Sequence, residues 1–196
     1  MRPPVRPVEL LSPRDLAGIA RRLGTEISVG HPRGVVLVGV LSGSVCLLAD
    51  VLRCVTVACA VDFLALSSYA PGAVRVQVLH DLGLDLSDRD VVVVEDVVDT
   101  GLSARYVCDL VTRHGARRVR LCALADRPGR RIVPLEVDYV GLEAPEDFLV
   151  GYGLGLAGRY RNLPGLVSLG VADPDVDADE LDAALRRAAL YGTRPA

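Results

Sequence analysis

Three carboxylates fall within five residues at the end of a four-valine run. Residues 91–103 read VVVVEDVVDTGLS, so Glu95, Asp96 and Asp99 are followed at once by Thr100, Gly101 and Ser103. Each residue type has a chemical use at such a place. The adjacent carboxylates of Glu95 and Asp96 accept hydrogen bonds from sugar hydroxyls or hold a hydrated Mg²⁺. Gly101 permits close backbone approach, and Thr100 and Ser103 bring hydroxyls. The amides that open a following helix favour a phosphate. One loop can therefore hold both the phosphate and the ribose of a sugar phosphate. An acidic helix cap would need fewer than three carboxylates in five residues.

Such a loop needs a strand that ends on it and a helix that begins on it. Val91–Val94 reads as a strand buried on both faces, and a helix is expected from Ser103 to about Thr112. In an open α/β sheet, ligands bind beyond the carboxyl ends of the strands, which is where these acids fall. Further strands are predicted at Val35–Val40, Val57–Leu66, Val74–Leu79, Arg118–Ala125 and Val137–Leu142, with a helix at Val45–Leu52. Ser12, Pro13 and Asp15 form a helix start, Leu16, Ile19, Ala20 and Leu23 follow at helical spacing, and Gly24 is the expected stop. Strands alternating with helices predict an α/β fold with a mostly parallel, twisted sheet flanked by helices. Residues 1–170 form the expected domain. Residues 171–196 form an acidic tail with an amphipathic helix around Leu181–Leu185, read as an appendage to the core.

Composition narrows the function classes. The chain has 196 residues, 51% of them hydrophobic, enough for one compact domain with a substantial core. No apolar run reaches the roughly 18 residues of a membrane span, and Met1-Arg2-Pro3-Pro4 leads into no signal-like stretch, so a cytoplasmic protein is expected. A net charge of -3 predicts no broad attraction to nucleic acid or acidic membranes. All 22 basic residues are arginine, so no step can depend on lysine. Cys46, Cys54, Cys59, Cys108 and Cys122 form no CxxC pair and read as free buried thiols. His31, His80 and His114 lack metal-ligand spacing, and the last two are expected at the surface.

Residues 91–103 resemble the 5-phosphoribosyl pyrophosphate (PRPP)-binding motif of type I phosphoribosyltransferases, and other stretches narrow the resemblance to the hypoxanthine-guanine phosphoribosyltransferase family. VGVLSGS at 38–44 resembles the family's pyrophosphate loop, and VDFLALSSY at 61–69 the approach to its mobile loop. VDYVGLE at 137–143 and VGYGL at 150–154 resemble its purine-binding hood, and YRNLP at 160–164 its closing segment. The resemblance covers roughly residues 8–170 and implies the type I fold with a small hood subdomain.

The resemblance implies transfer of a phosphoribosyl group from PRPP to a purine-like base. Asp99 is then the general acid/base facing the purine. Glu95 and Asp96 hold the ribose hydroxyls, directly or through Mg²⁺, while Asp99, Thr100, Gly101, Leu102 and Ser103 wrap the 5′-phosphate. Ser42, Gly43 and Arg161 handle pyrophosphate. Phe148 stacks on the base, Leu149 offers it backbone groups, and Arg127 donates to its 6-oxo group. Ser67, Ser68 and Tyr69 begin a lid that excludes water. A homodimer or homotetramer is implied, with no nucleic-acid or membrane partner.

Four departures from the family pattern bear on this. Ser42 stands where the family has a lysine, and Gly155 where it has a metal-binding aspartate. The segment between Tyr69 and Asp81 is about three residues shorter, and Arg127 replaces a lysine. These positions concern the leaving group, closure and base choice, while the PRPP loop is intact. They keep open an enzyme for a 7-deazapurine or other modified base, and a non-catalytic nucleotide- or PRPP-binding regulator. A pyrimidine-operon type regulator on the same fold would want a basic RNA-binding face, which the net charge does not encourage.

Overall fold

The computed structural model describes residues 5–66, 77–172 and 176–191. The chain divides into two compact units: one of residues 20–144, the other of residues 1–19 together with 145–196.

The larger unit is built on a six-stranded sheet ordered β4-β3-β2-β5-β6-β7. Its strands are β2 (Val35–Leu41), β3 (Cys59–Leu66), β4 (Val78–His80), β5 (Asp90–Val98), β6 (Arg118–Asp126) and β7 (Tyr139–Glu143). All pairings are parallel except β3 with β4. Parallel pairing explains the valine run: Val91 and Val93 join one core cluster with Val36, Val38, Val107 and Leu121, while Val92 and Val94, on the other face, are also fully buried. Helices α2 (Val45–Leu52) and α3 (Leu102–Arg113) cross between strands. The predicted strands are all present, with shifted ends: β5 runs on past Val94 to Val98 because it stays paired with β6, β3 and β7 start two residues later than Val57 and Val137, and β4 reaches His80 while residues 74–76 lie outside those described.

Helix α1 (Pro13–Gly30) corrects the expected stop at Gly24. A Cβ at Gly24 would lie 2.6 Å from Cβ of Cys54, so the glycine admits a neighbouring chain segment. The helix continues because Ile27 is fully buried one turn on, and the Ser28 hydroxyl donates to the Gly24 carbonyl. The start is as read: Ser12 and Asp15 exchange backbone and side-chain hydrogen bonds, which hold the Asp15 carboxyl below its usual range.

At the amino-terminal edge of the sheet, His31 is fully buried. Its Nδ1 lies 3.0 Å from Oδ2 of Asp90 and its Nε2 3.2 Å from the Tyr139 hydroxyl, while Arg118 donates to Asp90 at 2.9 Å. Of the five free thiols only Cys122 is fully buried, and the others are half-buried. His80 is exposed and His114 half-buried, 3.5 Å from Asp81.

The smaller unit holds a three-stranded antiparallel sheet, β1 (Val8–Leu11), β9 (Leu166–Ser168) and β8 (Leu149–Val150). Its core joins Val150, Tyr160, Leu163, Val167 and Leu169 to Leu181 and Leu185 of helix α4 (Ala178–Arg187). The tail helix expected as an appendage is thus part of a core, because its apolar face has strands to cover. None of the helices among the described residues is long and apolar enough to cross a membrane.

Candidate active site

Strand β5 carries Glu95 and Asp96 at its carboxyl end, and the chain turns through Asp99 and Thr100 into α3. Gly101 sits at the helix N-cap with φ +86°, a left-handed conformation that favours glycine, and a Cβ there would come within 2.7 Å of the Arg131 side chain. No side chain caps α3, so its first amides face the turn with the partial positive charge of the helix end. A cavity of about 90 Å³ lies here, lined by Glu95, Val97, Val98, Asp99, Thr100, Gly101, Ser103 and Ala104. Leu102 and Ser103 are exposed beside it.

Glu95 and Asp96 are adjacent in sequence but differ in setting. Glu95 is only 6% exposed, and burial, aided by the neighbouring Asp96 charge, pushes its carboxyl well above the ordinary range. A cation or a ring of hydroxyls in the cavity would favour its ionised form. Asp96 is half-buried; its Oδ1 accepts from the Val97 amide at 2.7 Å. Its Oδ2 lies against Gly43, where a Cβ would sit 1.6 Å away. Glycine at 43 thus lets the Ser42–Gly43 loop lie directly on Asp96. The loop is entered through a cis Leu41–Ser42 peptide. Ser42 is exposed, and Ser44 anchors the loop by donating to the Val40 carbonyl at 2.7 Å.

The described residues contain no cluster of three or more His, Cys, Asp or Glu able to cage a metal. Two adjacent carboxylates nevertheless suit Mg²⁺, which usually keeps waters and takes further oxygens from a phosphorylated substrate. Glu95 and Asp96 fit that donor set.

Sequence reasoning missed the surroundings of Asp99. Nε of Arg130 donates to its Oδ1 at 2.6 Å, and Nη1 of Arg127 lies 3.9 Å from the same oxygen. Arg131 donates to the Asp99 carbonyl at 2.9 Å and pairs with Asp126. Parallel register could have revealed this: Val98 is paired with Asp126, so the segment after β6 must lie beside the turn after β5. Asp62 has a role that the sequence pattern does not suggest. It is buried and accepts from the amides of Phe63, Gly83 and Leu84, fastening the turn after β4 to β3. The lid residues Ser67, Ser68 and Tyr69 lie outside the described residues.

The remaining predicted site residues belong to the smaller unit. Phe148 is half-buried, with its amide donating to Val171 and its carbonyl accepting from Leu169. Leu149 is buried in β8 opposite Ser168. Arg161 is exposed and donates to the Gly153 carbonyl at 2.6 Å. A Cβ at Gly155 would meet the Arg159 carbonyl at 2.7 Å and Cγ of Arg161 at 2.9 Å. Glycine at 155 therefore leaves the space that Arg161 uses.

An uncapped helix start at a strand-to-helix turn, with two carboxylates at the strand end, has the chemistry to take a sugar phosphate, and similarity to known proteins gives the chain a class. Residues 15–156 match the family model of the phosphoribosyl transferase domain. The hypoxanthine-guanine phosphoribosyltransferase of Staphylococcus epidermidis is 35% identical over 164 residues, 82% of this chain and 92% of that protein. A crystal structure of a hypoxanthine-guanine phosphoribosyltransferase from Bacillus anthracis superposes with TM-score 0.80 at 33% identity, covering 84% of this chain and 98% of that one. The bifunctional protein TilS/HprT of Listeria monocytogenes is 39% identical over 171 residues, 85% of this chain; the chain spans 26% of that longer protein. The chain belongs to the hypoxanthine-guanine phosphoribosyltransferase family.

Proposed function

We propose that this protein transfers the 5-phosphoribosyl group of PRPP to a purine or purine-like base, releasing pyrophosphate and forming the nucleoside 5′-monophosphate. The observation that carries the reading is the uncapped start of α3 over a cavity walled by Glu95, Asp99, Thr100 and Ser103. The 5′-phosphate binds the α3 amides and the two hydroxyls. Glu95 and Asp96 receive the ribose hydroxyls. Glu95 and Asp96 would hold Mg²⁺, which would supply charge neutralisation for the departing pyrophosphate.

In the reaction, a ring nitrogen of the base forms its bond to the anomeric carbon as the bond to pyrophosphate breaks. Positive charge develops on the ribose, and the carboxylates near it stabilise that charge. Asp99 takes the proton that the ring loses. Arg130 engages Oδ1, so Oδ2 is the oxygen assigned to the base. Phe148, backed by an apolar cluster on one side, supplies the stacking surface, Leu149 the backbone contacts, and Arg127 the donor to a 6-oxo group. Arg161 and the amides of the Ser42–Gly43 loop receive pyrophosphate, and Ser67, Ser68 and Tyr69 open the lid. The chain works in the cytoplasm as a homo-oligomer.

A second reading, a PRPP- or nucleotide-binding regulator without turnover, draws support from Gly155, where an aspartate would collide with Arg161. Formation of the nucleoside monophosphate from PRPP, Mg²⁺ and hypoxanthine or guanine separates the two. Turnover that disappears in Asp99→Asn supports transfer. Binding of PRPP without product from any base supports the regulator.

A further inference from the structure

Helix α4 lies beyond the matched domain, which ends at residue 156, and the reaction assigns it nothing. Its ends are nonetheless closely determined. Asp177 caps it by accepting from the amides of Asp179 and Glu180 at 2.9 and 3.2 Å. Asp179 and Glu180 sit in its first turn and Arg186 and Arg187 in its last, matching the helix dipole. Tyr191 closes its end, donating to Asp182 at 2.6 Å with the Arg186 guanidinium 5.0 Å from its ring centre.

Its two fully buried leucines are the link to the site. Leu181 and Leu185 form one cluster with Val150, Tyr160, Leu163, Val167 and Leu169, and Phe148 packs against that cluster. The same cluster underlies the loop that leads to Arg161. Between residues 151 and 160 three side-chain-bearing residues are left-handed: Tyr152 at φ +49°, Ala157 at +48° and Tyr160 at +70°. L-residues hold such angles only where their surroundings impose them. At Tyr160 the ring is buried in the cluster, and the hydroxyl donates to the carbonyl of Ala178, the first residue of α4, at 3.3 Å.

We infer that α4 is a positioning element of the base site, holding Phe148 in its working geometry through Leu181, Leu185 and Tyr160. Phe148 presents a fixed stacking surface only while the cluster behind it is filled. The inference rests on the assignment of Phe148 to the base.

The test is steady-state kinetics on the full-length protein, with KM for the base and KM for PRPP measured separately and folding checked by thermal melting. The double variant Leu181→Ser/Leu185→Ser is expected to raise KM for the base ~10-fold while KM for PRPP stays within about twofold. Leu181→Met/Leu185→Met, which refills the cluster, restores the wild-type value. Tyr160→Phe, which removes only the hydroxyl, raises KM for the base about threefold and decides the matter if the serine variant does not fold. An unchanged KM for the base, or equal rises in both KM values, overturns the inference. Phe148→Ala separates the two levels. If it raises KM for the base and the α4 variants do not, the helix has no such role. If it leaves KM for the base unchanged, the base assignment itself falls.

Discussion

Nε of Arg130 donates a 2.6 Å hydrogen bond to Oδ1 of Asp99. The carboxylate assigned to the acid–base step is therefore oriented by a guanidinium from the short turn after β6, while Arg127 approaches the same oxygen at 3.9 Å. A carboxylate held at one oxygen presents the other in a defined direction, which is where rate is won or lost for proton transfer.

Arg130→Gln removes this hold. It is expected to lower kcat about tenfold, with KM for PRPP changed less than twofold, because Arg130 acts through Asp99 and not on the phosphates. Equal loss in kcat and in PRPP affinity, measured in the same assay, would place Arg130 on the substrate instead.

Gly43→Ala drives a methyl into Oδ2 of Asp96, 1.6 Å from where its Cβ must sit. Either the loop or the carboxylate has to move. KM for PRPP is expected to rise about tenfold or more, with a raised Mg²⁺ requirement and little loss of thermal stability, since the clash is local. Titration of PRPP at several Mg²⁺ concentrations reads both effects.

Much of this site is visible in the sequence, for a physical reason. A both-faces-buried parallel strand must be apolar, so Val91–Val94 were legible as strand and the acids with Gly101 pointed to a sugar-phosphate turn, but the strand keeps its parallel pairing with β6 through Glu95, Val97 and Val98 before the chain turns. What Arg130 does was hidden because it arrives from the turn after another strand, and only the β5–β6 register puts it beside Asp99. Gly24 misled for a related reason: glycine ends helices by its conformation, but here it serves contact with Cys54, which no local pattern reveals. The amphipathic pattern of α4 was legible, whereas its packing into the cluster behind Phe148 depends on long-range contacts of β8 and β9.

Arg127→Lys restores the residue found in the family. The Arg127 side chain is 11% exposed, so the shorter ammonium cannot reach through solvent to compensate for a changed base position. The ratio of kcat/KM for hypoxanthine to that for guanine is expected to shift by about tenfold, with KM for PRPP unchanged. An unchanged ratio across a base panel would remove Arg127 from base recognition.

His31 sets a pH limit on the fold. Burial lowers its pKa, outweighing the hydrogen bond to Asp90, and the neighbouring Arg118 and Arg120 charges act in the same direction as burial; Tyr139 faces the other ring nitrogen. The unfolded chain, with its imidazole near 6.5, then binds the proton more readily than the folded one. This contribution is complete above that value and lost as pH falls below it. Melting temperature is expected to decline between about pH 7 and pH 5.5 in the wild type and to flatten there in His31→Gln, which is less stable at neutral pH. Parallel curves for the two proteins would contradict the assignment.

The central claim is tested most directly by pyrophosphate release from PRPP and Mg²⁺ with hypoxanthine, guanine, xanthine, adenine and 7-deazapurines, using Asp99→Asn as the control. The account predicts base-dependent release that falls about a hundredfold or more in the variant. PRPP binding without release for any base, or release untouched by Asp99→Asn, would contradict it.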